Sequence, residues 1–182
     1  MIIRWQMKHW KKFVFSYIWG LLLVGQILLI FVFGMDNEDG FQIIKIAGYI
    51  VWVLSAIFGW LPIHILKRKG GVGKGKSYVH TSVLVDSALY AIVRHPQYTA
   101  GILFSLALIL ISQTWLIAVI GLICMILMYL DILNADKYEI RKFGDEYKRY
   151  MEKVPRTNFM LGIFRILKQQ LRWRVKSNEK DK

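Results

Sequence analysis

The chain has a single cysteine, Cys124, and it sits inside an apolar run. A disulfide within the chain is therefore excluded, and so is a cysteine metal cluster. The four histidines, His9, His64, His80 and His95, are scattered and show no metal-ligand spacing. Acidic residues are few: 12 against 25 lysines and arginines, a formal net charge of +13 over 182 residues. There is no internal repeat, and no small-residue cleavage site follows the first apolar run. That run is also too long for the core of a signal peptide. A strong positive charge in a polar chain would point to nucleic acid, but no polar-surfaced domain is present to carry it. The chain is 55% hydrophobic, with a mean hydropathy of +0.39. A membrane protein with basic aqueous flanks accommodates both properties.

Four apolar runs predict four helical spans. Phe13 to Gly34 is long enough for one crossing, and Gln42 to Leu66 for a second, with only Lys45 charged. Gln97 to Ser112 is a short third. It covers roughly 24 Å, against a hydrocarbon core of roughly 30 Å. Trp115 to Leu130 is the fourth, and the intervening "SQT" predicts a tight turn and an antiparallel hairpin. Loop charge alternates. Arg4, Lys8, Lys11 and Lys12 precede the first span, while Asp36, Glu38 and Asp39 follow it without a lysine or arginine. Lys67, Arg68, Lys69, Lys74 and Lys76 follow the second, the 112–114 turn is uncharged, and the tail after Asp131 is basic. The positive-inside rule then places both termini and the 67–95 loop in the cytoplasm. In the tail, Met160, Ile163, Phe164, Leu167 and Leu171 share a helical face, with Arg165, Lys168, Arg172 and Lys176 on another. This pattern predicts a basic amphipathic helix on the inner membrane surface.

"GGVGKGKS", Gly70 to Ser77, matches a phosphate-binding loop letter for letter. That pattern requires a strand before the loop and a helix after it. Here a membrane span leads in, and the β-branched, aromatic "SYVHTSVLVD" leads out. The expected role is a flexible basic loop on anionic headgroups.

"YAIVRHPQYTAG", Tyr90 to Gly101, reads differently. Pro96 suits the first turn of the third span. The N–H groups of Gln97, Tyr98 and Thr99, with Arg94 and His95 beside them, would make an anion site. Tyr90 and Tyr98 flank it and suit a flat ring or a cation. A snorkelling arginine among interfacial aromatics is the competing reading. After the fourth span, Asp131, Asp136 and Glu139 lie close to the membrane exit, and Asp136 and Glu139 share a helix face. The hairpin would return these acids beside Arg94 and His95, with the helix ending near Phe143 and Gly144. Pairing with Lys137, Arg141 and Lys142 in water is the alternative.

"LV-x-x-x-LY-x-x-VRHPQYTAG", followed by a hairpin and then "FGDEYKRYMEKVPR", resembles the isoprenylcysteine carboxyl methyltransferase and phospholipid methyltransferase superfamily, over roughly Leu84 to Arg156. The resemblance implies an all-α integral membrane enzyme of about four transmembrane helices, with a C-terminal hairpin, a cytoplasmic helix and the basic tail. It implies one membrane domain over 1–182, with a methyltransferase-like core at 84–156 and the tail at 157–182. It implies S-adenosylmethionine as cofactor, held by Tyr90, Arg94, His95, Pro96 and Tyr98, and the chemistry of the cofactor adds Asp136, for its ribose or ammonium, and Gly101 as further candidates. Arg94, Asp136 and Glu139 are the catalytic candidates, Glu139 as the base that an amine acceptor would need, and no metal is expected. The acceptor would be a membrane lipid or lipidated group, of the isoprenylcysteine carboxylate or phospholipid amine class. The family often has glycine where Ala88 stands, and a Glu-Glu pair where this chain has Ala135-Asp136. An NADPH-dependent membrane reductase of related fold, or a membrane protein that kept the fold and lost catalysis, stay open as alternatives.

Overall fold

A computed structural model describes residues 2–180, with side chains for residues 14–174. The side chains of Arg4, Lys8, Lys11, Lys12 and Lys176, used in the charge and tail readings, lie outside the described set. The described residues form seven α-helices and no strand: α1 Ile2–Phe31, α2 Gln42–Lys69, α3 Leu89–Ile92, α4 Pro96–Ser112, α5 Trp115–Phe143, α6 Asp145–Lys153 and α7 Phe159–Lys180. Val14–Phe31, α2 and α5 are each long and apolar enough to cross a membrane, and α4 is a shorter apolar helix. The chain is thus an all-α membrane protein. The helix of the fourth predicted span ends where the sequence reading put it, near Phe143 and Gly144. α5 continues unbroken to Phe143, because nothing between Asp131 and Lys142 breaks a helix and Gly144, at φ +60°, then does.

Two compact units share these helices, one of residues 1–60 and 97–142, the other of residues 61–96 and 143–182. In the first, Ile30, Leu108 and Ile117 form a core cluster. A polar layer crosses it. Ser105 Oγ donates to Gln26 Oε1 at 2.8 Å, and Gln26 Nε2 donates to the Ile117 carbonyl at 3.3 Å. Inside a bilayer such groups must be satisfied by protein, and here they bind α1 to the α4–α5 hairpin. A Cβ on Gly121 would come within 2.6 Å of Ile109 Cδ1 and 2.7 Å of Gln26 Nε2, so the close approach depends on that glycine. At one end, Asn37 N–H donates to the Ser112 carbonyl at 2.8 Å. Gln113 brackets the Phe41 backbone, accepting its N–H at 2.9 Å and donating to its carbonyl at 3.0 Å. The acidic connection after α1 and the hairpin turn therefore meet on one side of this bundle.

In the second unit, α2 ends at Gly70, whose carbonyl accepts Ser82 N–H at 2.8 Å and Val83 N–H at 3.1 Å. Gly71 has φ +62° and accepts Ser82 Oγ at 2.8 Å. A Cβ on Gly70 would meet the Leu66 carbonyl and Thr81 Cγ2 at 2.6 Å, and one on Gly71 would meet Ser82 Oγ at 2.4 Å. The first two glycines of the phosphate-loop pattern thus turn the chain so that residues 81–83 dock on it. Among the described residues no strand precedes this loop, and no helix follows it before Leu89. The loop thus lacks the flanking strand and helix that the nucleotide pattern requires. α7 crosses α3 closely, since a Cβ on Gly162 would fall 2.0 Å from the Ile92 carbonyl. Met160, Ile163, Phe164, Leu167 and Leu171 are all exposed along α7.

Candidate functional site

In the second unit, the Arg-His-Pro stretch is pinned by the chain segment that follows α6. Val93 is extended, which ends α3 after one turn. Arg94 N–H then donates to the Pro155 carbonyl at 3.0 Å, and His95 N–H to the Arg156 carbonyl at 3.2 Å. The side chains are fixed as well. His95 Nε2 and Tyr147 Oη lie 3.3 Å apart, in a hydrogen bond whose direction follows the imidazole tautomer. Tyr150 Oη donates to the Tyr90 carbonyl at 2.6 Å. Burial pushes the Tyr150 hydroxyl far up from its ordinary range, with Tyr90 reinforcing the shift, so it acts as a neutral donor. Tyr90, Arg94, His95, Tyr147 and Tyr150 are all buried. Pro96 opens α4, as its missing N–H allows.

Arg165 of α7 donates to the carbonyls of Lys153 and Ala91, bringing the tail helix onto the same segment. A cavity of about 340 Å³ beside it carries both signs of charge, from Asp86, Glu146, Arg149, Lys153 and Arg165. None of the predicted cofactor residues lines this cavity. Ala88, where the resembled family often has glycine, has φ +56° and ψ −124°. A side chain is strained there, and glycine is not.

The remaining predicted residues belong to the first unit. Asp136 is buried at 3% exposure, and Glu139 on the same helix is half-buried. The water-solvated reading does not describe Asp136. Tyr98 Oη donates to Asp131 Oδ2 at 3.3 Å, and its ring meets Trp19 edge-on at 6.4 Å between centroids. Gly101 faces the hairpin, where a Cβ would come within 2.9 Å of Met128 Sδ and Cε. It also lines an open apolar groove of about 550 Å³ with Trp52, Gly59, Trp60, Ala100 and Phe104.

Reading the sequence missed Tyr147 and Tyr150 as anchors and Asp131 as the partner of Tyr98. The tyrosine signal was present, because Tyr147 and Tyr150 are three apart on a short helix. That spacing puts both on one face, which here is the buried one. As to known proteins, the model of a family described as phospholipid methyltransferase matches residues 43–146. No curated protein and no solved structure matches the chain.

Proposed function

Because the chain belongs to the phospholipid methyltransferase family, we propose that it is an S-adenosylmethionine-dependent enzyme acting on a membrane-held acceptor of the phospholipid amine or isoprenylcysteine carboxylate class. The observation that carries the reading lies in the second unit. The Arg-His-Pro stretch is buried and held by hydrogen bonds to residues 147–156.

Residue by residue, the side chains have chemistry that suits parts of the cofactor. The Arg94 guanidinium suits its carboxylate, the Asp136 carboxylate suits its ribose hydroxyls or ammonium, and Tyr90 and Tyr98 offer ring faces for adenine or a sulfonium. When bound, S-adenosylmethionine supplies an electrophilic methyl group on a positively charged sulfur. The chain's own contribution is alignment and the exclusion of water, which supply most of the help in an in-line displacement. Holding Arg94 through its backbone, and His95 through backbone and side chain, serves alignment. His95 and Pro96 shape the loop, and Gly101 lets α4 and α5 approach closely. Glu139 would take the proton that an amine acceptor must lose; a carboxylate acceptor needs no base. The apolar groove beside Gly101 suits the chain of a lipid acceptor. We read residues 1–182 as one membrane domain, with the methyltransferase core at 84–156 and the tail at 157–182 lying on the inner membrane surface. Both termini are proposed to be cytoplasmic.

Calorimetric titration of S-adenosylhomocysteine into detergent-purified protein tests the cofactor. Arg94→Ala should weaken binding about ten- to a hundredfold, the loss of a charge-assisted hydrogen bond. Equal affinity in the variant would make Arg94 an interfacial anchor. Transfer of a labelled methyl group to a membrane lipid extract, with the product identified, tests the reaction and names the acceptor.

A further inference from the structure

Asp131 lies within α5 in the apolar bundle of the first unit, at 4% exposure. Three donors converge on one of its oxygens: Ser16 Oγ at 2.5 Å, Trp19 Nε1 at 3.1 Å and Tyr98 Oη at 3.3 Å. An ionisable group inside a membrane bundle is expensive and persists where it has a task. Holding the helices together is a weak candidate for that task. α1 is already joined to the hairpin by the Gln26–Ser105–Ile117 layer and by Cys124, whose thiol donates to the Trp19 carbonyl at 3.4 Å. Buried charged groups contribute little net stability compared with apolar residues of the same size.

The identity of the donors is more informative. Ser16 and Trp19 come from α1, which lies wholly outside the family-matched residues 43–146. Tyr98 comes from the first turn of α4, three residues after His95. Its ring is constrained at both ends of its freedom, by Asp131 at the hydroxyl and by Trp19 at the edge. A phenol turns about two side-chain torsions, and tying down its hydroxyl removes most of that freedom.

We infer that Asp131 is a positioning residue of the methyl-transfer site: α1 holds its carboxylate through Ser16 and Trp19, and the carboxylate fixes the ring of Tyr98. The inference rests on the reading of Tyr98 as a cofactor contact. α1 would then be part of the working enzyme rather than an added anchor.

The test is a double-mutant cycle of Asp131→Asn and Tyr98→Phe on the full-length protein in detergent. S-adenosylhomocysteine affinity and the ligand-free thermal midpoint are both measured. Coupled residues lose less together than the sum of their separate losses. Each single variant should bind about tenfold more weakly, and the double variant about as weakly as either. The midpoints should show the same coupling without ligand. Separate losses that multiply in the double variant would overturn the inference, and so would a lowered midpoint with unchanged affinity, which marks a purely structural role. If Asp131→Asn does not fold, Trp19→Phe removes one donor and keeps a ring in place. It should weaken affinity severalfold, and unchanged affinity there would also overturn the inference. If the parent protein binds no S-adenosylhomocysteine, the cofactor reading falls and this inference with it. If the parent binds and the cycle is multiplicative, only the inference falls.

Discussion

Tyr147 meets the His95 imidazole across 52 residues of sequence, Oη to Nε2 at 3.3 Å, with both side chains buried. The helix after the hairpin thereby sets the orientation of the Arg-His-Pro histidine. Tyr147→Phe keeps the ring and removes the hydroxyl. We expect it to lower stability by about 1 kcal/mol, more if the imidazole nitrogen is left without a replacement partner. Thermal unfolding in detergent measures this, and an unchanged midpoint would show that the pair contributes nothing.

Ala88 occupies backbone that favours glycine, at φ +56°. Ala88→Gly should raise stability by about 1 kcal/mol, the strain relieved minus the entropy that glycine loses on folding. A higher thermal midpoint with unaltered cofactor affinity is the expected outcome. A lower midpoint would mean that the methyl group makes contacts worth more than the strain.

The glycine-rich loop separates turn from nucleotide site. Gly71→Ala strains a residue at φ +62° and drives a methyl group against Ser82 Oγ, so it should cost roughly 1–3 kcal/mol. Lys76, which is exposed, should tolerate replacement: Lys76→Ala should leave methyl transfer and stability unchanged. Saturable, Mg²⁺-dependent ATP binding that this substitution abolishes would contradict the turn reading.

Asp136 tests the shortened acidic pair. Asp136→Asn preserves shape and removes charge, and should weaken S-adenosylhomocysteine binding about tenfold or more without unfolding the protein. Asp136→Glu restores the family's longer reach and should bind at least as tightly as the parent. Affinities equal to the parent in both variants would remove Asp136 from the site.

Orientation is open to chemical labelling. In a Cys124→Ser background, Asn37→Cys should react with a membrane-impermeant thiol reagent applied to intact cells, and Ser77→Cys should not. The contact of Asn37 with Ser112 puts the acidic connection and the hairpin turn on one side, so Thr114→Cys should follow Asn37→Cys. Labelling at position 77 would reverse the orientation.

Membrane residence, the number of apolar helices and the hairpin were legible from the sequence alone, because they depend on local quantities. Run length, hydropathy and turn residues act over a few neighbours, and α4, Pro96–Ser112, keeps the bounds of the third apolar run to within one residue, as a shorter apolar helix. The Arg-His-Pro loop could likewise be singled out by residue type. Local patterns could not reveal what holds it. The spacing of Tyr147 and Tyr150 puts them on one face, but what that face meets is set only when folding brings α6 against Tyr90 and His95. Asp131 read as one of several acids near a membrane exit, and only packing gave it donors from α1, more than a hundred residues earlier. In the other direction, a complete phosphate-loop pattern sits in a different local structure, where Gly70 and Gly71 turn the chain. Composition and periodicity decide which segments enter the bilayer, because transfer from water is a property of each segment. Hydrogen-bond partners are properties of pairs, and pairs distant in sequence are chosen only by the tertiary fold.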